Sequence, residues 1–360
     1  MKFIMPQPAT HYLVTRRAIP QEYWSVWWDK YKPYFGLGSS APDLFYFPLM
    51  PGIKNISKEI SWSDLADPMH SSKSYDMFCT LLDIAQKSKS INPSSSEKQF
   101  AFAFGYYCHV ITDCIFHPYV YRSTHDHWST NNYMNEAKHK MQEYIIDTGV
   151  FNKYYDKQNF SRLQWECNEG YQPLLDYSIA EQFNDALQTN YSDCYPLESD
   201  IKSEHHPIQQ AYSALVQAIP TLFTGQKIYL FGANRIIDAR KFNNEAQLRF
   251  FVSPYPNCDS LDKHTPEELF DYCSSTCRRV FKASLQFWNS SSIDSKTFFK
   301  QHQTHYLNAG NWNLDTGLPS HYNNYVAMRE ENTEHYLFKA NELKVTYEII
   351  KTEYTASDYI

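Results

Sequence analysis

The stretch Cys108-His-Val-Ile-Thr-Asp113-Cys-Ile-Phe-His117 constrains this chain more than any other. His109, Asp113 and His117 recur every four residues. Four residues of α-helix overshoot a full turn by about 40°, so the three side chains share one face across two turns. The positions between them are Val, Ile, Thr, Cys, Ile and Phe, which suit a buried helix. Carrying imidazoles and a carboxylate into an apolar interior is costly unless something neutralises them. A divalent cation would do so. Imidazole plus carboxylate is a ligand set for zinc, iron or manganese, with zinc favoured in hydrolytic sites.

His139-Lys-Met-Gln-Glu143 repeats the spacing, and five of the fourteen histidines fall within residues 109–139. One such pair is usually a surface feature. Two pairs on consecutive helices, one embedded in apolar sequence, match how helix bundles build metal centres from inward-facing side chains. Asp147, one turn beyond Glu143, is spaced to orient His139 or another ligand from behind. The eight cysteines contain no C-x-x-C and read as thiols. Cys273 and Cys277, one turn apart, read as core packing.

Helical periodicity dominates elsewhere. A first segment begins at Tyr12, Leu13 and Val14 and stops at Pro20. Tyr23, Trp24, Trp27, Trp28 and Tyr31 line one face of a second, ended by Pro33 and Gly36. Residues 36–71 read as irregular and hold Asp43 and His70. Tyr75 to Ala85 reads as a helix. A loop over Ser88 to Glu97 ends in serines suited to cap the next helix, which runs to His117 and stops at Pro118. Further helices are predicted over 133–148, 174–189, 206–223, 266–288 and 322–343. His205 and His206, ahead of Pro207, read as solvated capping residues. Asn311 to Gly317 reads as a turn-rich loop able to line a pocket. Lys344 to Ile350 is the one fair strand candidate. With no convincing linker, the expectation is a single all-α domain over 1–360, with a metal-site core at 6–150 and a helical C-terminal extension at 151–360.

Composition removes several function classes. Ten glycines, with neither G-x-G-x-x-G nor G-x-x-x-x-G-K-[ST], leave no phosphate-cradling loop. No G-x-S-x-G elbow occurs. A net charge of −7 disfavours broad binding of nucleic acid. Aromatic residues are 17% of the chain. Trp24, Trp27, Trp28 and Tyr31, or Phe45, Tyr46 and Phe47, are either core residues or an aromatic interface for peripheral membrane contact. No apolar run reaches the roughly 18 residues of a membrane span. The N-terminal residues show no secretory signal, which leads to a cytoplasmic expectation. Oligomeric state is not readable from the sequence.

The ordered set of candidate ligands resembles the zinc-dependent phospholipase C family, the all-helical multi-zinc phosphodiesterases that share their fold with S1/P1-type nucleases. Family members carry an early His on the first helix, a loop Asp and a loop His, then H-x3-D, another His and H-x3-E. This chain offers His11 in Thr-His-Tyr-Leu-Val, Asp43 in Ala-Pro-Asp-Leu-Phe and His70 in Pro-Met-His-Ser. His109 and Asp113, His117, His139 and Glu143 follow. The resemblance covers roughly residues 6–150. It implies that Asp43, His70, His109 and Asp113 hold one zinc, and that His117, His139 and Glu143 hold a second. His11 and Asp113 belong to a third, with Asp113 bridging. Asp43 is also implied as the group that orients or deprotonates the attacking water. The implied activity is hydrolysis of a phospholipid or related small phosphodiester by metal-activated water.

Three departures from the pattern stand out. Secreted members begin, after processing, with a Trp whose amine and carbonyl bind the third zinc, whereas ten residues precede His11 here, so two zinc ions are expected and the third site is left open. The step from Asp113 to His117 is two residues shorter than in the secreted enzymes. His125 and His127 are therefore alternatives, with His117 preferred because it shares the helical face. The loop from Asp43 to His70 is longer. An S1/P1-type nuclease, whose last pair is usually H-x3-D, and a non-catalytic metal- or lipid-binding protein of the same fold are the rival readings.

Overall fold

The computed structural model describes residues 8–50, 52–124, 143, 146–147, 150, 175–195, 200–223, 227–230, 235–238, 266–292, 294–302, 311–314 and 318–319. Within them the architecture is all-α. The helices are α1 (Pro8–Ala18), α2 (Asp29–Gly38), α3 (Trp62–Ser71), α4 (Ser74–Ser88) and α5 (Pro93–Thr124). They are followed by α6 (Tyr177–Tyr191), α7 (Pro207–Phe223), α8 (Pro266–Asn289) and α9 (Ser295–Gln301). Two minimal antiparallel ribbons complete the set. β1 (Lys227–Leu230) pairs with β2 (Arg235–Asp238), and β3 (Trp312–Asn313) pairs with β4 (Leu318–Pro319). The strand candidate at 344–350 and the helix predicted over 322–343 lie outside the described residues.

α5 is the axis of the fold, and α1, α2, α4, α6 and α8 pack around it. It starts earlier than its serines suggest, because Asn92 is the cap. The Asn92 side chain accepts from the Ser95 amide at 3.2 Å and Pro93 occupies the first helical position. It also runs through Pro118, where a stop is predicted. Proline in a helix interior costs about 3 kcal/mol. Phe116 and Val120 on either side are buried, and each such burial stabilises by about 1.5–3 kcal/mol, enough to offset the break. Pro33 is likewise inside α2, directly after a one-turn π segment over Trp24–Trp28.

α2 crosses α5 at backbone contact. A Cβ on Gly38 would run into the Phe102 carbonyl, and one on Gly105 into the Phe35 carbonyl. That close approach puts the end of α2 directly beside the middle of α5. The segment after it is less irregular than expected. Leu44–Leu49 forms a 3-10 turn, and α3 lies within the predicted loop region. Trp62, Leu65, Ala66 and Met69 are all buried, a helical i, i+3, i+4, i+7 pattern hidden by Pro68.

The aromatic residues are core. Trp27, Trp28, Phe45, Tyr46 and Phe47 are buried, and Trp24 and Tyr31 pack against them. The five buried rings are therefore not presented to a membrane surface. Among the described residues no helix is long and apolar enough to cross a membrane. Cys273 and Cys277 are buried on α8 as free thiols. His205 is exposed as expected. His206 is buried instead, and its Nδ1 accepts from the Ile208 amide to cap α7.

Candidate metal centre

Four elements of the first 124 residues deliver imidazoles or carboxylates to one buried place. α1 presents His11, and Asp43 stands at the entry to the 3-10 turn. α3 presents His70 in its last turn, and α5 presents His109, Asp113 and His117. All six are buried, His70 and His109 completely. Glu143, which is helical and buried, reaches the same place. Ligand atoms of His11, His109 and Asp113 all lie within 4.8 Å of one another, and so do those of Asp43, His70 and His109.

Asp113 is central. Its Oδ1 is 3.2 Å from His11 Nε2 and 3.8 Å from His117 Nε2, and its Oδ2 is 2.9 Å from His109 Nε2. Asp43 faces the other side, with Oδ1 3.0 Å from His70 Nε2 and Oδ2 3.8 Å from His109 Nε2. His117 Nε2 lies 3.3 Å from Glu143 Oε1. His139 lies outside the described residues, as do His125 and His127.

Backbone carbonyls set the rings. His109 Nδ1 donates to the Ser39 carbonyl at 2.8 Å, the reach made possible by the Gly38–Gly105 crossing. His70 Nδ1 donates to the Ala66 carbonyl at 3.2 Å, and His117 Nδ1 to the Leu314 carbonyl at 2.6 Å. A carbonyl only accepts, so each Nδ1 carries a proton, and a neutral ring then has its lone pair at Nε2. Those lone pairs face carboxylate oxygens. Lone pair against lone pair is repulsive unless a proton or a cation lies between.

Protons fill that gap unevenly. Burial lowers the His11 pKa, and the neighbouring His109 lowers it further, outweighing Asp113. The two rings are stacked with centroids 4.0 Å apart, so both cannot carry charge comfortably. Burial also works against charge on His109, but Asp113 and Asp43 prevail and raise its pKa. Burial opposes charge on Asp113, yet His109, His117 and His11 hold its carboxyl well below the ordinary range. His11 Nδ1, His109 Nε2 and Asp113 Oδ2 are buried without a hydrogen bond of good geometry. Nitrogen and oxygen donors converging in this way, with outer partners fixing each ring, fit a divalent cation and zinc in particular.

The partners of Asp147 among the described residues are on α1, and His139, which its spacing suits it to orient, lies outside them. Asp147 accepts from the amides of Ala9 and Thr10, at 3.1 and 2.8 Å, and from the Thr10 hydroxyl. It thereby holds the first turn of α1, the helix that carries His11. Burial pushes its carboxyl up to about 7 despite those hydrogen bonds, and the charge of Glu143 adds to the rise.

Sequence reasoning overlooked the carbonyls of Ser39 and Ala66. The turn-rich loop around residue 311 carried the only signal for Leu314. Leu314 lies against the centre and Asn311 against the start of α4, while residues 315–317 are outside the described set.

A family model described as zinc dependent phospholipase C matches residues 10–191, just over half of the chain. The match runs past the expected limit near residue 150 to the end of α6, and it contains all eight candidate ligand positions. No curated protein and no solved structure gives a significant match.

Proposed function

Because the chain belongs to the zinc-dependent phospholipase C family, we propose that it hydrolyses a phospholipid, or a related small phosphodiester, at this buried centre. Water adds to phosphorus and the bond from phosphorus to the glycerol oxygen breaks. Diacylglycerol and a phosphorylated headgroup leave. The observation that carries the reading is the convergence of buried Nε2 atoms on the carboxylates of Asp43 and Asp113.

In this reading Asp43, His70, His109 and Asp113 would hold one zinc, and His117, His139 and Glu143 a second. His11 and Asp113 would belong to a third. When bound, zinc lowers the pKa of water toward neutrality and stabilises negative charge on phosphoryl oxygens. Asp43 presents two oxygens on the edge of the set and takes the proton of the attacking water. Asp113, held ionised by three imidazoles, contributes fixed negative charge. The Ser39, Ala66 and Leu314 carbonyls prevent the rings from turning, so their geometry is set before substrate arrives. Cationic side chains need not supply the phosphate site, in keeping with the net charge of −7.

Hydrolysis of a chromogenic phosphocholine ester, compared with that of single-stranded DNA, tests the substrate class. Turnover of the ester, abolished by His109→Ala and by a zinc chelator, supports the proposal. Cleavage of DNA alone would assign the chain to the nuclease chemistry of the same fold. Turnover of neither, with metal bound, would make it a binding protein.

A further inference from the structure

We propose that Asn311 and Leu314 form a clasp that positions the centre, so that a segment outside the family-matched 10–191 completes it. The proposal rests on the zinc reading above for its consequence, but its geometry stands apart from it.

Residue 314 sits between two ligand-bearing elements. Its carbonyl accepts from His117 Nδ1 at 2.6 Å, and its amide donates to the His70 carbonyl at 2.6 Å. The first bond fixes the His117 tautomer. With the proton on Nδ1, Nε2 keeps its lone pair toward Glu143 and Asp113. The second satisfies a carbonyl in the last turn of α3, where no intrahelical donor remains. One residue, through the two peptide groups that flank its Cα, therefore sets the spacing between α3 and α5 at the metal centre.

Asn311 holds that residue in place. Its Oδ1 accepts from the amides of Tyr75 and Asp76, both at 3.0 Å, and its Nδ2 donates to Asp76 Oδ2 at 2.7 Å. α4 needs this help. The residue before it, Lys73, is left-handed at φ 55° and offers no capping side chain. The orphan amides of its first turn are met by a residue more than 230 positions away. The β3–β4 ribbon begins directly after Asn311, and the Leu314 side chain is fully buried. Both ends of the segment 311–314 are thus tied down. A segment that served only to cap α4 would have no reason to aim a carbonyl at a candidate ligand's outer nitrogen.

Two measurements test the clasp. The first is the tautomer of His117 in metal-free protein labelled with ¹⁵N-histidine, read from imidazole correlations at alkaline pH and assigned by its absence in His117→Gln. The clasp predicts Nδ1–H in the wild type and a mixture in Asn311→Ala; Nε2–H in the wild type overturns it. The second is zinc retention against a chelating indicator. Asn311→Ala and Leu314→Pro are expected to bind zinc about 10–100-fold more weakly, the usual cost of losing an outer partner. Asn311→Ser, whose hydroxyl still caps the amides, should stay within about 3-fold, inside the range of a retained cap. Folded Asn311→Ala with wild-type retention and tautomer overturns the clasp. If Asn311→Ala fails to fold, the wild-type tautomer and the Leu314→Pro titration decide. If the wild type retains no zinc, the zinc reading fails, and the tautomer of His117 still decides the clasp.

Discussion

The two sides of the centre are held in different ways. His109 and His70 are oriented locally, by carbonyls of Ser39 and Ala66 within the family-matched segment. His117 is oriented by Leu314, almost 200 residues away in sequence. The local side is built into a rigid crossing of α2 on α5 and into a single helix. The remote side depends on a short strap whose anchor is one asparagine. The candidate ligands are therefore concentrated in the first half, whereas one of them takes its outer hydrogen bond from the second. Perturbing the two sides separately should show which one limits function.

The largest effect belongs to Asp113, which serves both sides. Asp113→Asn keeps the shape but removes the charge facing three imidazoles. Activity and zinc retention should both fall by more than about 100-fold, beyond the loss expected of an outer partner. A steady-state assay with metal analysis checks this. Retained zinc with normal turnover would remove Asp113 from the centre.

Next comes the local side. Gly105→Ala forces a methyl group against the Phe35 carbonyl and must push α2 off α5. Overpacking of this kind costs about 1–3 kcal/mol. It should also move Ser39 away from His109, lowering the melting temperature and zinc affinity together. A fall in stability alone, with zinc held normally, would show that the crossing does not set His109.

Asp147 gives a pH signature. Its carboxyl lies above the ordinary 3.8, at about 7 when buried. A raised folded-state value means that its contribution is present below pH 3.8 and is lost as pH rises toward 7. Asp113 works in the opposite direction. Its depressed value contributes stability above 3.8 that is lost in acid. Metal-free protein should therefore lose stability from about pH 4 to 7 through Asp147. Asp147→Asn should flatten that slope in thermal melts across the range. An unchanged slope would exclude Asp147 as its source.

The smallest effect is on overall stability at the remote side. Removing the Asn311 cap from α4 should cost about 1 kcal/mol in chemical denaturation. A loss several times larger would mean that the strap holds more of the fold than one helix end.

What the sequence made legible was side-chain chemistry with a period. His109, Asp113 and His117 announce themselves at four-residue spacing, and α6, α7 and α8 follow their apolar patterns closely, whereas α5 extends beyond both expected ends. Proline misled the reading, because Pro33 and Pro118 look like stops, and Pro68 lies in a stretch that reads as irregular, yet all three are inside helices whose buried faces outweigh one lost hydrogen bond. Backbone partners were invisible for a simpler reason. Every residue has a carbonyl, so nothing in Ser39, Ala66 or Leu314 distinguishes it. Asp147 was legible as an acid at helical spacing behind His139 or another ligand, but not as the group that fastens α1, since its partners are amides 137 and 138 residues away.

The central claim is that the buried imidazoles and carboxylates share a metal. Elemental analysis of protein purified without added metal, with His109→Ala alongside, tests it most directly. The account predicts about two equivalents of zinc per chain in the wild type, as for a multi-zinc hydrolytic centre, and a marked loss in the variant. A wild type free of zinc and of every other transition metal, yet folded, would contradict it.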